Sequence, residues 1–326
     1  MSATAASAAE PRRHLRPRWV YGAAALLLLV AAILSFADVG EQAGRLSNWQ
    51  AFVLGVTQGM TELLPISSSG HLILVPWIAD WHYLEAHPSF NKTFDVALHL
   101  GTLVAVVVYF WADVVRYAAA WFRSVAQRSI RTDDQRIAWW IFAATIPAAL
   151  AGAVGEEPIE NHLGQPWQIA IFLAVFGVLL WLADRLPQEK RIGALGFWPA
   201  FGIGISQILA LMPGVSRSGI TITAGRFLRL ERDAAARFAF LLLIPIVFGA
   251  VVYKGLKHVV LESLPPGSVG PFVVGTMAAA AVGLVVIDLL LGYVRRHDYT
   301  LFVVYRLVLA ALIVVVIAGG WRGADF

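Results

Sequence analysis

The sequence predicts an all-α protein that crosses a membrane several times. Hydrophobic residues make up 59% of the 326-residue chain and charged residues only 14%, with a mean hydropathy of +0.70, whereas a soluble protein carries more charge. Seven apolar runs approach the roughly 20 residues that a helix needs to span a bilayer. They cover residues 19–37, 93–112, 137–154, 167–183, 234–253, 270–294 and 301–319. Trp and Tyr residues lie near the ends of several runs, where membrane interfaces favour them.

The composition also excludes several classes of function. The chain has no cysteine, which rules out disulfides, thiolate catalysis and cysteine-based metal sites. The net charge of +4 comes mostly from arginines in short loops, a pattern that concerns membrane topology. Basic patches with interleaved aromatic residues, typical of nucleic-acid binding, are absent. We therefore expect the bilayer, and no nucleic acid, as a partner.

One sequence motif occurs twice, 149 residues apart. Leu54–Gln58 leads to Ile66–Gly70, and Ile203–Gln207 leads to Val215–Gly219 in the same way. Each copy places a Gly/Pro/Ser break inside an apolar segment. In a membrane, such a break persists only where the freed backbone groups meet protein, water or a ligand. The two breaks are therefore the predicted functional site.

The distribution of Lys and Arg predicts the orientation, because cytoplasmic loops are enriched in them. With a cytoplasmic N-terminus, 18 basic residues lie inside and five outside, and two lie within segments. The loops at 114–136 and 295–298 are then cytoplasmic, and the loop at 155–166 is external. This count holds only if residues 49–80 and 198–229 each enter and leave the membrane on one side.

Both of these segments are therefore predicted to be re-entrant helical hairpins, the first entering from outside and the second from the cytoplasm. Each is followed by three spanning helices, which gives repeat one at 49–183 and repeat two at 198–319. Two repeats of inverted topology then form a single membrane domain at 49–320, with the site near the midplane between them. Residues 1–48 form an N-terminal extension.

The extension admits two interpretations. A basic start, an apolar stretch and the small residues around Ser35-Phe36-Ala37 would suit a cleavable signal peptide. The apolar stretch is long for a signal peptide, however, so an uncleaved transmembrane anchor helix is the expected form. In either case the first hairpin begins outside.

The first break combines polar groups that are costly inside a membrane. Gln58 and Glu62 are four residues apart, on one face of a helix that Pro65 then breaks. Three serines open a second half-helix, whose N-terminus favours anions. His71 follows Ser68 by three residues, which places the two side chains close enough to share a proton. A carboxylate, a hydroxyl and an imidazole in one intramembrane turn predict a functional site.

Each of these residues also has a structural interpretation. Ser67 or Ser69 is expected to cap the half-helix. A lone His71 would be a hydrogen-bonded interfacial histidine, and Gln58 would hydrogen-bond across the hairpins, as its repeat equivalent Gln207 would. The combination of groups favours catalysis over these separate roles.

The second break predicts an anion site. Ser216 caps another half-helix, and Arg217 lies at its mouth. A guanidinium binds phosphate through two parallel hydrogen bonds, so Arg217 and two opposed helix N-termini describe a pocket for a multiply charged anion. The alternative for Arg217 is a side chain that snorkels to a lipid headgroup, which its place at the hairpin tip disfavours.

Other polar residues in apolar segments receive structural interpretations. Asp95 and His99, four residues apart, are expected to form a structural pair or an outer rim of the cavity. Asp288 and Arg306 fall toward cytoplasmic helix ends and are expected to pair with each other.

The motifs QGMTELLPISSSGH and PGVSRSGIT resemble those of the undecaprenyl-pyrophosphate phosphatase family, also called the bacitracin-resistance proteins. The resemblance extends to FDVALHLGTLVAVVVYF at 94–110, ATIPAALAG at 144–152 and RFAFLLLIPIVFGA at 237–250, and so covers about residues 49–320. It implies a bacterial inner-membrane enzyme that removes the terminal phosphate of undecaprenyl pyrophosphate, in a cavity open to the outer leaflet, for cell-wall synthesis.

The resemblance also implies roles for individual residues. Ser68 and His71 match the proposed nucleophile and base, Glu62 the second acidic position, and Arg217 the phosphate-binding arginine. A divalent cation, Mg²⁺ or Ca²⁺, is implied near Glu62, although Gln58 stands where many members have a second carboxylate. The residues implied to contact substrate are Gln58, Ser67, Ser69, Gly70, Ser216, Ser218, Gly219 and Thr221.

Several alternatives stay open at this point. Ser68 could form a phosphoserine, His71 could activate water directly, or His71 could itself be phosphorylated. A flippase or transporter of a polyprenyl phosphate or another anion could use the same inverted repeats. The sequence leaves the oligomeric state open, with a homodimer as one option.

Overall fold

The computed structural model describes residues 18–36, 45–255 and 268–324, and these ranges consist of helices and short connections. An all-α membrane protein is therefore confirmed. The α-helices are α1 Arg18–Phe36, α2 Asn48–Thr61, α3 Ser68–Ala79, α4 Tyr83–Ala86, α5 Pro88–Tyr109, α6 Trp111–Gln127, α7 Asp133–His162, α8 Pro166–Asp184, α9 Phe197–Ser206, α10 Arg217–Phe227, α11 Arg232–Lys254, α12 Val269–Val294 and α13 Thr300–Ala318.

Six helices of the described residues are long and apolar enough to cross a membrane: α5, the Asp133–Gly155 part of α7, α8, α11, α12 and α13. They match six of the seven predicted apolar runs. The seventh run corresponds to α1, in which Val20–Phe36 forms a shorter apolar helix. The basic start of the extension at 1–17 and the predicted cleavage residue Ala37 lie outside the described residues, as does the external Lys257.

Helices replace parts of two predicted loops. The external loop expected at 155–166 begins inside α7, which continues to His162. The cytoplasmic loop expected at 114–136 contains most of α6, which begins at Trp111 directly after α5 ends. The helix is strongly amphipathic, and it packs on α7, where the Trp139 indole donates to Ser124 Oγ at 2.8 Å. Its length and polar face suit a helix that lies in the membrane interface. Hydropathy over a spanning window misses such a helix.

Both predicted breaks are present. Residues 62–67 separate α2 from α3, and a 3₁₀ turn at Gln207–Leu211 followed by residues 212–216 separates α9 from α10. Proline cannot donate a backbone hydrogen bond, and Pro65 and Pro213 each lie inside a break. Each predicted repeat thus contains one broken pair and three long helices, while the inverted relation between the repeats stays a prediction.

The ends of both broken segments contact the ends of other helices or their connections. Asn48, at the start of α2, donates to Leu34 O near the end of α1, and Asp80, after α3, pairs with Arg322 beyond α13. The second segment begins and ends beside the connection that follows α8, where the Glu189 amide donates to Arg229 O. The second segment thus begins and ends at one place, as a re-entrant hairpin requires, and the re-entrant form of the first segment stays a prediction.

Glycines allow α2 and α5 to pack closely against α12. A Cβ on Gly55 would lie 2.4 Å from Gly275 O, and one on Gly101 would lie 2.4 Å from Thr276 O. Small residues permit such backbone contact between membrane helices. This packing holds α2, the first helix of the first hairpin, directly against α12.

The predicted pair of Asp288 and Arg306 is wrong. The Asp288 carboxylate accepts hydrogen bonds from the hydroxyls of Tyr21 on α1 and Tyr109 on α5, at 2.6 and 2.9 Å. Arg306 donates instead to backbone carbonyls near the breaks. Hydroxyl groups can satisfy the hydrogen-bonding capacity of a carboxylate in an apolar bundle. Asp288 therefore does not require Arg306 as a partner.

Candidate active site

The two breaks end in equivalent capping serines. Ser67 and Ser216 have φ values of 75° and 77°, a region that residues other than glycine rarely adopt. Each hydroxyl accepts a hydrogen bond from the amide three residues later, Gly70 N at 3.4 Å and Gly219 N at 3.0 Å. Ser67, one of the two serines predicted to cap the first half-helix, therefore does so.

The breaks contact each other directly. The Gly214 amide donates to Ser67 Oγ at 3.1 Å, and Ser218 Oγ donates to Leu64 O at 2.9 Å. The N-termini of α3 and α10 are thus held next to each other, and both favour an anion.

Glu62 links the polar groups of both breaks. Its Oε2 accepts hydrogen bonds from Ser68 Oγ at 2.5 Å and from Gln58 Nε2 at 3.3 Å. Its Oε1 lies 3.6 Å from Nη1 of Arg217, which comes from the other repeat. The Glu62 side chain is only 2% exposed and that of Arg217 is 25% exposed. The Glu62 carboxylate therefore lies deeper in the protein than the Arg217 side chain.

The predicted contact between Ser68 and His71 is not present. His71 Nδ1 lies 2.6 Å from Ser67 O and must donate to it, because a carbonyl only accepts. Nε2 then accepts from the Tyr305 hydroxyl at 2.7 Å. The spacing does place both side chains on α3, but the Glu62 carboxylate is a stronger acceptor for the serine proton. Glu62 consequently occupies the place expected for His71.

Two polar residues from long helices belong to the site and were given other roles or none. His99 Nε2 on α5 lies 3.5 Å from Glu62 Oε2, while its Nδ1 binds the main-chain oxygen of Asp95. His99 thus reaches the site itself. Tyr305 on α13 contacts His71. Their positions inside apolar runs were the available signal, since polar groups at membrane depth are usually functional.

Arg306, which the sequence analysis assigned to a pair with Asp288, instead contacts both breaks. Its side chain is fully buried on α13, and its five N–H groups donate to five carbonyls. Three of these carbonyls belong to the breaks, namely those of Pro65, Gly214 and Val215. A charged residue within a spanning segment was again the only signal.

The remaining predicted substrate residues lie in and around the breaks. Thr221 is buried and donates to Arg217 O at 2.8 Å, so its hydroxyl faces its own helix. Ser69 lies 3.4 Å from Ser67, between their Oγ atoms. Gln58 bonds within the first repeat, and Gln207 donates to Ala144 O on α7, so neither makes the hydrogen bond predicted across the hairpins.

The residues fit a divalent cation only if substrate completes its coordination. The described residues contain no group of three His, Asp or Glu side chains that could hold a metal. Glu62 Oε1 and Gln58 Oε1 are buried oxygens without a hydrogen-bond donor in the described ranges. Mg²⁺ commonly binds one or two protein oxygens together with substrate phosphates and water. The oxygens of Glu62 and Gln58 are of the kind and number that such a magnesium site needs from the protein.

Comparison with known proteins gives a consistent result. A model of the family described as bacitracin resistance protein BacA matches residues 51–312. The undecaprenyl-diphosphatase of Moorella thermoacetica is 45% identical over 269 residues, covering 82% of this chain and 97% of the relative. That of Pelobacter propionicus is 44% identical over 275 residues, with 84% and 98% covered. That of Thermomicrobium roseum is 42% identical over 279 residues, with 83% and 98% covered.

Proposed function

The chain belongs to the bacitracin resistance protein BacA family, and from this premise we propose that it hydrolyses undecaprenyl pyrophosphate to undecaprenyl phosphate and inorganic phosphate. The resemblance that the motifs indicated is confirmed. One observation carries the chemical side of the proposal: Ser68 donates its hydroxyl proton to Glu62, beside Arg217 and two helix N-termini. This arrangement activates a hydroxyl next to a site for a phosphate anion.

In the proposed mechanism, Ser68 Oγ attacks the terminal phosphorus of the pyrophosphate while its proton passes to Glu62 Oε2. The bond from that phosphorus to the bridging oxygen breaks, and the electron pair leaves with undecaprenyl phosphate. Water then hydrolyses the phosphoserine and releases inorganic phosphate. Arg217 and the two helix N-termini stabilise the charge on the transferred phosphoryl group.

Two other routes differ in the attacking group. Water could replace Ser68 as the nucleophile, with Glu62 still accepting the proton. Attack by His71 has less support, because both of its ring nitrogens are engaged by Ser67 and Tyr305. The proposal therefore gives His71 the role of holding the start of α3.

A divalent cation, Mg²⁺ or Ca²⁺, is part of the proposal. A buried carboxylate next to an anionic substrate is unfavourable unless a cation or a proton offsets its charge. Glu62 Oε1 and Gln58 Oε1 would hold the ion. When bound, it would neutralise phosphate oxygens and so assist the same charge stabilisation that Arg217 provides.

The function is tested by phosphate release in detergent. Purified protein with Mg²⁺ or Ca²⁺ should release inorganic phosphate from undecaprenyl pyrophosphate without any membrane gradient, and EDTA should suppress the release. A flippase or transporter would move the lipid in vesicles but leave its pyrophosphate intact. Failure of the detergent assay with intact, folded protein would contradict the phosphatase. The names of the relatives do not favour the transporter.

We also propose that the chain lies in the bacterial inner membrane with its site open to the outer side. The asymmetry of 18 basic residues inside against five outside supports this orientation. A homodimer stays a prediction, which the molecular mass of the purified protein in detergent would test.

Cysteine labelling tests the orientation, because the chain has no cysteine of its own. In spheroplasts, from which the outer membrane has been removed, an impermeant thiol reagent should label Glu160→Cys, which lies near the end of α7 in the segment predicted to be external. It should label Ile130→Cys, in the predicted cytoplasmic loop, only after permeabilisation. The reverse pattern would place the site on the cytoplasmic side.

A further inference from the structure

Arg306 is a buried cation whose solvation comes from backbone carbonyls. Its exposure is 0%, and no carboxylate of the described residues forms an ion pair with it. Nε donates to Leu173 O at 3.0 Å. Nη1 donates to Pro65 O and Val215 O at 3.1 Å, and Nη2 donates to Gly214 O at 2.9 Å and to Phe172 O at 3.3 Å. All five donors of the guanidinium are thus used.

These five carbonyls belong to three separate parts of the chain. Leu173 and Phe172 lie in α8, Pro65 in the first break, and Gly214 and Val215 in the second break. Arg306 itself lies in α13. A planar fork with donors along two edges can reach such a set, whereas a lysine ammonium offers three donors at one point. Arg306 therefore fixes both breaks to the α8–α13 pair.

The bonded carbonyls lie close in sequence to the proposed catalytic groups. Val215 immediately precedes the capping Ser216 and then Arg217, and Pro65 is three residues before Ser68. In a trans peptide the C=O and N–H point in opposite directions. Holding the Val215 carbonyl toward Arg306 therefore turns the Ser216 N–H away from it. The same guanidinium sets the orientation of the second break and its separation from the first.

We propose that Arg306 is a positioning residue for phosphoryl transfer. By binding both breaks, it holds Ser68 of one repeat and Arg217 of the other at the separation that the reaction needs. This inference rests on the proposed phosphatase function. It differs from a general role in stability, because it predicts a loss in the chemical step by protein that remains folded.

The test compares two fully buried arginines. Arg226 on α10 is also 0% exposed, and it binds Asp184 and the carbonyls of Leu230 and Leu186 at the opposite end of the second hairpin. Arg306→Lys and Arg226→Lys each keep the charge and remove the fork. Both variants are expected to lower the melting temperature in detergent, since each loses carbonyl hydrogen bonds.

Only Arg306→Lys should impair the chemistry. A displacement of about 1 Å at a reacting group can cost roughly a hundredfold in rate, so kcat for undecaprenyl pyrophosphate should fall by about 30-fold or more. KM should change by less than about threefold, because Arg217 and the helix N-termini still bind the anion. Arg226→Lys should retain the wild-type kcat per folded molecule.

A milder pair of variants keeps the proposal testable if Arg306→Lys does not fold. A Cβ on Gly177 of α8 would lie 3.4 Å from Arg306 Cβ and 3.5 Å from its Nε, whereas one on Gly292 of α12 would meet nothing within 4 Å. The Cβ of an alanine at position 177 would be in ordinary van der Waals contact with Arg306, so the two additional methyl groups of Gly177→Val are needed to displace its side chain. This variant should lower kcat by about three- to tenfold. Gly292→Val should leave kcat unchanged.

The outcomes separate this inference from the proposed function. Wild-type protein that releases no phosphate would contradict the phosphatase itself. Active wild type together with wild-type kcat in folded Arg306→Lys would overturn the positioning role. If Arg306→Lys does not fold, a wild-type kcat in Gly177→Val would do the same. Equal losses of kcat in the Arg306 and Arg226 variants would indicate stability alone and would also overturn it.

Discussion

Ser68→Ala should reduce phosphate release by about a thousandfold or more, as expected for loss of a nucleophile. Ser68 Oγ lies 2.5 Å from Glu62 Oε2 and is buried beside the two helix N-termini. Removing it leaves no hydroxyl for Glu62 to activate at this position. The anion-binding groups remain, so binding of undecaprenyl pyrophosphate should change little. Single-turnover phosphate release and a separate binding measurement test the two parts.

The neighbouring serines are the matched controls for this variant. Ser69→Ala should keep most of the activity, because its Oγ makes only a 3.4 Å contact with Ser67. Ser67→Ala removes a helix cap, which costs about 1 kcal/mol, and also the acceptor for the Gly214 amide. Its main effect should be on the melting temperature. Near-normal turnover by Ser68→Ala would instead indicate direct attack by water.

Arg217→Ala should lower kcat by about a hundredfold or more, within the range for loss of a group that stabilises transferring phosphoryl charge. Arg217 Nη1 is buried without a hydrogen-bond partner in the described residues and lies 3.6 Å from Glu62 Oε1. A group in this state is available to a substrate oxygen. Arg217→Lys should lose at least about tenfold, equivalent to roughly 1.4 kcal/mol, because one ammonium cannot bridge two phosphate oxygens.

The alternative for Arg217, a side chain that snorkels to a lipid headgroup, predicts that lysine serves as well as arginine. Arg295→Lys is a suitable control, because Arg295 lies in the loop between α12 and α13, is exposed, and pairs with Asp233 of α11. It should have wild-type kcat. Equal activity of Arg217→Lys and the wild type would remove the second break from the proposed mechanism.

The spanning helices and both breaks were predictable because each depends on local sequence. Length and hydropathy identify a membrane helix, and a duplicated Gly/Pro/Ser pattern marks a break wherever it occurs. The equivalent φ values of Ser67 and Ser216 agree with that duplication. Glu62 and Arg217 could be placed in one site because they lie in the two copies of the motif.

The other contacts of the site could not be predicted, because they depend on how distant helices pack. Spacing places Ser68 and His71 on one helix, but the partner of each is decided by Glu62 and by Tyr305 on α13. His99 and Arg306 lie on α5 and α13, outside the breaks. The sequence shows that His99 and Arg306 are polar residues within apolar helices. It does not show toward which neighbouring helices their side chains point.

The reach of Arg306 has a consequence for the assembly of the protein during synthesis. Arg306 and Pro65 are separated by 241 positions in sequence. The hydrogen bond from Arg306 to the Pro65 carbonyl therefore cannot form until α13 has been synthesised and inserted. An unpaired carbonyl in hydrocarbon costs several kcal/mol, so water, lipid headgroups or a helper protein must satisfy it in the interval. The first break therefore reaches its final form only when α13 packs against α8, so a chain interrupted before α13 would lack an assembled site.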